Sequence, residues 1–145
     1  MTRLRVASLN LSGAQGRGEW ARFTHRCRQW AQRDGVDVVL AQEHNLEPGR
    51  ERELRAIAAS REFHLVVSFA ERGADGVHWG GTLVLMSMRT VGWPELREEQ
   101  RKHVMHSEPG ATVVSLDWAG RRMTVGSIYA PSPPGKRVDF FNEMR

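Results

Sequence analysis

The sequence predicts an α/β domain, and three observations carry that prediction. The first is Val36 to Asn45, where a β-branched apolar run (Val36, Val38, Val39, Leu40, Ala41) of strand length has Gly35 behind it and a polar cluster ahead. A short continuous apolar run of this kind suits a strand buried on both faces. The second is repetition: Arg5-Val-Ala-Ser-Leu9 runs into Asn10, and Val125-Gly-Ser-Ile128 runs into Tyr129. The third lies between the first two runs, where Trp20, Phe23, Cys27 and Trp30 fall near helical spacing and Arg22, Arg26, Arg28 and Arg33 fall mostly on other faces.

Taken in order, Thr2 to Leu11 reads as a first strand, Ser12 to Gly18 as a glycine-rich loop and Glu19 to Arg33 as an amphipathic helix whose Trp/Phe stripe packs on the sheet. Asp34-Gly35 ends the helix, with Gly35 suited to the left-handed C-cap. After the second strand, Leu46-Glu47-Pro48-Gly49 is a turn, and Arg50 to Arg61 is a helix with Leu54, Ile57 and Ala58 as its stripe. His64 to Phe69 is a third strand, Ala70 to Trp79 a polar loop and Gly80 to Met88 a fourth strand. The pair Gly80-Gly81 at its start signals a bulge or a close backbone approach. Arg97 to His106 favours helix by its Glu/Arg/Gln content, with a short strand over Lys102 to His106 as the alternative. Ala111 to Trp118 and Arg121 to Tyr129 form a hairpin around Ala119-Gly120. Pro131, Pro133 and Pro134 forbid continued strand, and Val138 to Arg145 begins another amphipathic helix.

Composition narrows the class. A chain of 145 residues, 40% hydrophobic and 26% charged, has the material for one folded domain rather than a disordered segment. No apolar run approaches the roughly 20 residues that span a bilayer. Arg3 and Arg5 precede an apolar run that Asn10, Ser12 and Gly13 interrupt, which does not read as a signal peptide. Cys27 is the single cysteine, so an internal disulfide and a Cys-based zinc site are excluded, and an intracellular location fits, the nucleus among the options. The net charge is +4 with a pI near 10.2, carried mostly by Arg, whose planar fork suits phosphate. That basicity permits a nucleic-acid partner without requiring one, and a solvated face accounts for most of it.

Three strand ends each deliver an oxygen-bearing side chain to one rim, the edge where open α/β sheets bind ligands: Asn10, Glu43 and Tyr129. Glu43 is either a surface acid capping a loop or a ligand for a hard cation such as Mg²⁺, which takes oxygen donors. Asn10 is either a turn residue or an amide that orients a metal or phosphate oxygen. Tyr129 is either an amphipathic plug or a phenol donor to a phosphate oxygen. His44, one residue after Glu43, points to the other side of an extended chain. His78 stands at a strand entrance within reach of a substrate. His25, His64, His103 and His106 read as helix-face or edge residues, and no pair has zinc-like spacing.

Together the segments Val6-Ala-Ser-Leu-Asn10-Leu-Ser-Gly, Asp37-Val-Val-Leu-Ala-Gln-Glu43, Gly80-Gly-Thr-Leu-Val-Leu-Met-Ser and Ser127-Ile-Tyr129-Ala-Pro, in that order, resemble the first four motifs of the endonuclease/exonuclease/phosphatase superfamily, the DNase-I-like fold. The Gln-Glu and Tyr-Ala-Pro forms, followed by Phe140-Phe141, are most similar to the apurinic-endonuclease-like domains of non-LTR retrotransposons. The resemblance covers nearly the whole chain. It implies the N-terminal portion of a four-layer α/β/β/α sandwich with mixed sheets. It implies Mg²⁺, with Mn²⁺ as the alternative ion, for hydrolysis of a phosphodiester, most simply as the DNA endonuclease of a retroelement with a reverse-transcriptase region in the same longer polypeptide. Glu43 would match the family's metal-binding glutamate, Asn10 its site asparagine and Tyr129 the tyrosine that contacts phosphate. Arg17, in the glycine loop, is the candidate for tracking a nucleic-acid backbone.

Two departures stand against a complete site. Ser12 occupies a position where apurinic endonucleases commonly carry an acid, two residues after the asparagine. The later Gly-Asp-x-Asn and Ser-Asp-His motifs, which supply the carboxylate for the attacking water and a histidine near the phosphate, do not occur among the 145 residues. The expectation is therefore a partial domain over 1–145, inactive and marginally stable alone. Two other readings compete. A Rossmann-like nucleotide module would use Glu43 on a ribose, but Gly13, Gly16 and Gly18 give G-x-x-G-x-G, the wrong order of spacings. A non-catalytic remnant would keep the shape without the reaction. Within the superfamily, inositol-lipid phosphatases and sphingomyelinases share these core motifs, and basic charge tilts the balance to DNA.

Overall fold

The computed structural model describes residues 3–69, 72–76, 78, 80–89, 104–108, 110–129 and 142. Among these residues seven strands and two α-helices follow one another as β1 (Val6–Asn10), α1 (Glu19–Asp34), β2 (Val38–Gln42), α2 (Glu51–Ser60), β3 (Phe63–Ser68), β4 (Thr82–Ser87), β5 (Val104–Glu108), β6 (Ala111–Trp118) and β7 (Arg121–Ile128). They form a four-stranded sheet ordered β1-β2-β4-β3 and a three-stranded sheet ordered β5-β6-β7. The first sheet is mixed: β1 runs parallel to β2, as a helical crossover requires, while β4 is antiparallel to both β2 and β3. The described strands of the second sheet are antiparallel.

Alternation along the strands explains the layers. Val39, Ala41, Leu65, Val67, Leu83 and Leu85 point to one side and pack with Trp20, Phe23 and Cys27 of α1 and Leu54 and Ala58 of α2. Val38, Val66, Val84 and Met86 point to the other and meet Val114 and Leu116 of the second sheet. The continuous apolar run of β2 is thus what a strand covered on both faces needs. The buried indole of Trp20 keeps its polar atom satisfied by donating to the Leu54 carbonyl at 3.0 Å, which ties α1 to α2.

The expected boundaries move by a residue or two, apart from β1, which begins at Val6 rather than Thr2. Gly35 closes α1 in the left-handed conformation (φ 65°), its N–H donating to the Trp30 carbonyl. A short 3₁₀ turn, Pro48–Arg50, precedes α2 and replaces its expected first residue. The Ala119-Gly120 hairpin turn has positive φ at both residues (49° and 74°), the twist that joins two antiparallel strands tightly. Helix over Arg97 to His106 is corrected where the structure describes it: β5 pairs with β6 through Val104↔Val114 and Ser107↔Thr112, because ladder bonds outweigh a weak local propensity. The helix expected over Val138 to Arg145 lies outside the described residues, except Asn142, whose backbone is helical. No helix among the described residues is long and apolar enough to cross a membrane.

Candidate functional site

Because β1 and β2 are parallel and in register, Asn10 opposite Gln42, both chains leave the sheet at the same edge. The two exit loops stay joined beyond it: the N–H groups of Leu11, Gly13 and Ala14 donate to the carbonyls of Gln42, Glu43 and His44, each at 2.8 Å. The backbone then turns left-handed at Glu43 (φ 53°) and Asn45 (φ 54°). Across from them, Asn45 N–H donates to the Gly80 carbonyl at 2.8 Å, and Gly80 N–H returns a bond to Asn45 Oδ1 at 2.6 Å.

These loops and the end of β7 enclose an open cleft of about 370 Å³ lined by Ser12, Glu43, Asn45, Gly80 and Tyr129. Tyr129 is 37% exposed, and its backbone N–H donates to the Gly110 carbonyl at 2.8 Å. Glu43 and Tyr129, 86 positions apart in sequence, therefore share one cavity. Asn10 is exposed but does not line it: its Oδ1 accepts the Ser12 N–H at 2.8 Å and the Ser12 hydroxyl at 3.3 Å. Arg17 is exposed on the glycine loop and stands outside the cleft lining. His78 bridges to Arg72 across the loop before β4 and is likewise outside it.

Sequence reasoning missed Asn45 and Gly80. Their signals were the tolerance of Asn for left-handed backbone and the Gly80-Gly81 pair, but a bond across 35 positions leaves no local pattern. Beneath the cleft, hydroxyls couple the sheets. Ser127 Oγ accepts from Gln42 Nε2 at 2.9 Å and donates to the Ala41 carbonyl at 2.8 Å. Thr112 Oγ1 sits 2.5 Å from Ser68 Oγ and 2.8 Å from Thr82 Oγ1. These bonds fix the height of the Tyr129 strand end over the Glu43 strand end.

Mg²⁺ relies on one or two carboxylates and completes its shell with water and substrate phosphate. One half-exposed carboxylate on an open cleft fits that habit, whereas no cluster of three His, Cys, Asp or Glu exists among the described residues to hold a metal unaided.

Solved structures place this architecture. An endonuclease/exonuclease/phosphatase family protein from Leptotrichia buccalis matches 99% of the chain with a TM-score of 0.56 at 13% identity. The chain has the fold of that family. The endonuclease domain of TRAS1, a telomere-specific non-LTR retrotransposon, matches 98% with a TM-score of 0.54 at 13% identity. TDP2 of D. rerio, solved with a single-strand DNA product, matches 97% with a TM-score of 0.55 at 16% identity. The chain spans 62%, 54% and 52% of the lengths of these three. At such identities the likeness is one of fold. No family model and no curated protein matches the sequence.

Proposed function

We propose that this chain is the front portion, residues 1–145, of a metal-dependent phosphodiesterase domain acting on DNA, and specifically of a retroelement endonuclease. The observation that carries the reading is the shared cleft, with the Glu43 carboxylate and the Tyr129 phenol on its walls. In the fold family, the TRAS1 domain and the DNA-bound TDP2 support a nucleic-acid substrate, beside a mannosyl-6-phosphatase of the same fold. Glu43 would hold Mg²⁺ or Mn²⁺. Bound there, such an ion supplies Lewis acidity for charge developing on a phosphate oxygen.

The chain's own residues then divide the work. Tyr129 donates its phenol hydrogen bond to a non-bridging phosphate oxygen. Asn10, whose Oδ1 is engaged by Ser12, stands outside the cleft lining and has its amide Nδ2 to offer a neighbouring phosphate of the strand. Arg17 meets the flanking backbone as an exposed charge, which makes binding weaken with salt. Among the described residues no second carboxylate or histidine lines this cleft to take a proton from an attacking water, which supports binding without cleavage by these residues alone.

Isothermal titration with Mn²⁺ tests the central assignment, the expected result being binding that Glu43→Gln removes; equal binding by both proteins overturns it. Incubation of the 145-residue chain with supercoiled plasmid and Mg²⁺ is expected to leave the plasmid intact. Nicking that Glu43→Ala abolishes would show that the cleft needs nothing further. A coding sequence that lacks any reverse-transcriptase region alongside this domain would remove the retroelement assignment and leave the phosphodiesterase reading in place.

A further inference from the structure

We propose that His44 is a positioning residue that sets where the Glu43 carboxylate stands in the cleft; the inference rests on reading Glu43 as a metal ligand. Glu43 borders the cleft while His44, its neighbour, is fully buried beneath it. The ring is bonded at both nitrogens. Nδ1 accepts the Leu46 N–H at 2.9 Å, so the proton sits on Nε2, which donates to the Ser68 carbonyl at the end of β3, also at 2.9 Å. Phe69 closes one side edge-on, with ring centroids 5.8 Å apart.

The other side is Gly81. A Cβ there would stand 2.3 Å from both Cε1 and Nε2 of the ring, so the imidazole fits only because position 81 has no side chain. The contact falls just past the last paired residues of β2 and β4, Gln42 and Thr82. Beyond the ladder, the His44–Gly81 contact and the reciprocal Asn45–Gly80 bonds continue the seating of one strand end on the other. From the opposite flank, Gly13 and Ala14 grip the carbonyls of Glu43 and His44. Glu43 is therefore carried on a short left-handed link whose anchor is the ring behind it.

Mn²⁺ titration of the 145-residue chain, followed by electron paramagnetic resonance, separates positioning from packing. Four variants are compared with the parent: His44→Phe, His44→Gln, His44→Asn and, as an equally core-damaging control away from the cleft, Val66→Ala. Positioning predicts that His44→Phe weakens Mn²⁺ binding about tenfold or more, that Val66→Ala leaves it unchanged, and that His44→Gln, which keeps a donor for Ser68, recovers most of the loss. Should His44→Phe not fold, His44→Asn, which keeps an acceptor for Leu46 but cannot reach Ser68, is expected to bind more weakly than His44→Gln. Equal affinity of the parent and every folded His44 variant overturns the proposal. Glu43→Gln in the same series keeps the two ideas apart. Loss of binding in Glu43→Gln with none in the His44 variants sinks positioning alone, whereas retention in Glu43→Gln sinks the ligand assignment beneath it.

Discussion

The two sides of β4 are buried alike and finished differently. Leu83 and Leu85 face the helices among the apolar side chains of Val39, Ala41, Leu65 and Val67. On the opposite side, Val84 and Met86 meet the second sheet in the same dry way, but Thr82, at the cleft end, joins hydroxyls with Thr112. Burial of hydrocarbon is non-directional and lets layers settle wherever volume fills best. Hydroxyl bonds are directional, and a fully satisfied buried group of them fixes one arrangement of the layers it joins. The helix side thus supplies most of the cohesion, and the cleft end of the sheet–sheet side supplies registration.

That contrast can be broken at the helix side first. Leu85→Ala is expected to lower unfolding free energy by about 2–5 kcal/mol in a urea titration; a loss under about 1 kcal/mol would mean the side is loosely packed. Gly81→Ala comes next, at about 1–3 kcal/mol, from left-handed backbone (φ 87°) and the ring of His44. Adding His44→Ala should cost less than the sum of the two single changes, since the clash is then gone. Full additivity would show that ring and glycine are independent.

Thr112→Val sharpens the comparison at about 1–2 kcal/mol, because it deprives Ser68 and Thr82 of their shared partner. A neutral result would reassign registration to Ser127 and Gln42. The gentlest test is pH. Burial holds the pKa of His44 below the ordinary 6.5, against the opposing pull of backbone bonds at Ser68 and Thr82. The unfolded chain therefore binds a proton more readily than the fold does, and stability is complete above pH 6.5 and declines as pH falls below it. Thermal midpoints between pH 7.5 and 5 should show that decline, and His44→Gln should flatten it, leaving the smaller part due to His64, whose pKa burial also lowers. An unchanged slope in His44→Gln would mean that the ring titrates alike in both states.

Much of the architecture was legible because it is written in local pattern. Val38 to Ala41 announces a strand covered twice, Gly35 a helix end, Ala119-Gly120 a hairpin. The segment at Val104 to Glu108 was only half legible: a short strand over Lys102 to His106 stood as the alternative to helix, and pairing with β6 decides for the strand. For the cleft, Glu43 and Tyr129 were readable as strand ends, and the structure brings them to one cavity. Asn10 was readable too as a strand end, and its oxygen accepts from Ser12. Asn45, Gly80 and the seating of His44 depend on contacts across 24 to 37 positions, which no short window contains.

The bond from Ser127 to the Ala41 carbonyl spans 86 positions, and that distance matters during synthesis. A ribosome finishes β2 long before it makes the strand that locks onto it. From the completion of β4 until β6 emerges, Val38, Val84 and Met86 face outward on a sheet still missing its cover, a sticky surface on a nascent chain. This protein is therefore most exposed to aggregation, and most in need of a chaperone, while its last described hairpin is still inside the exit tunnel.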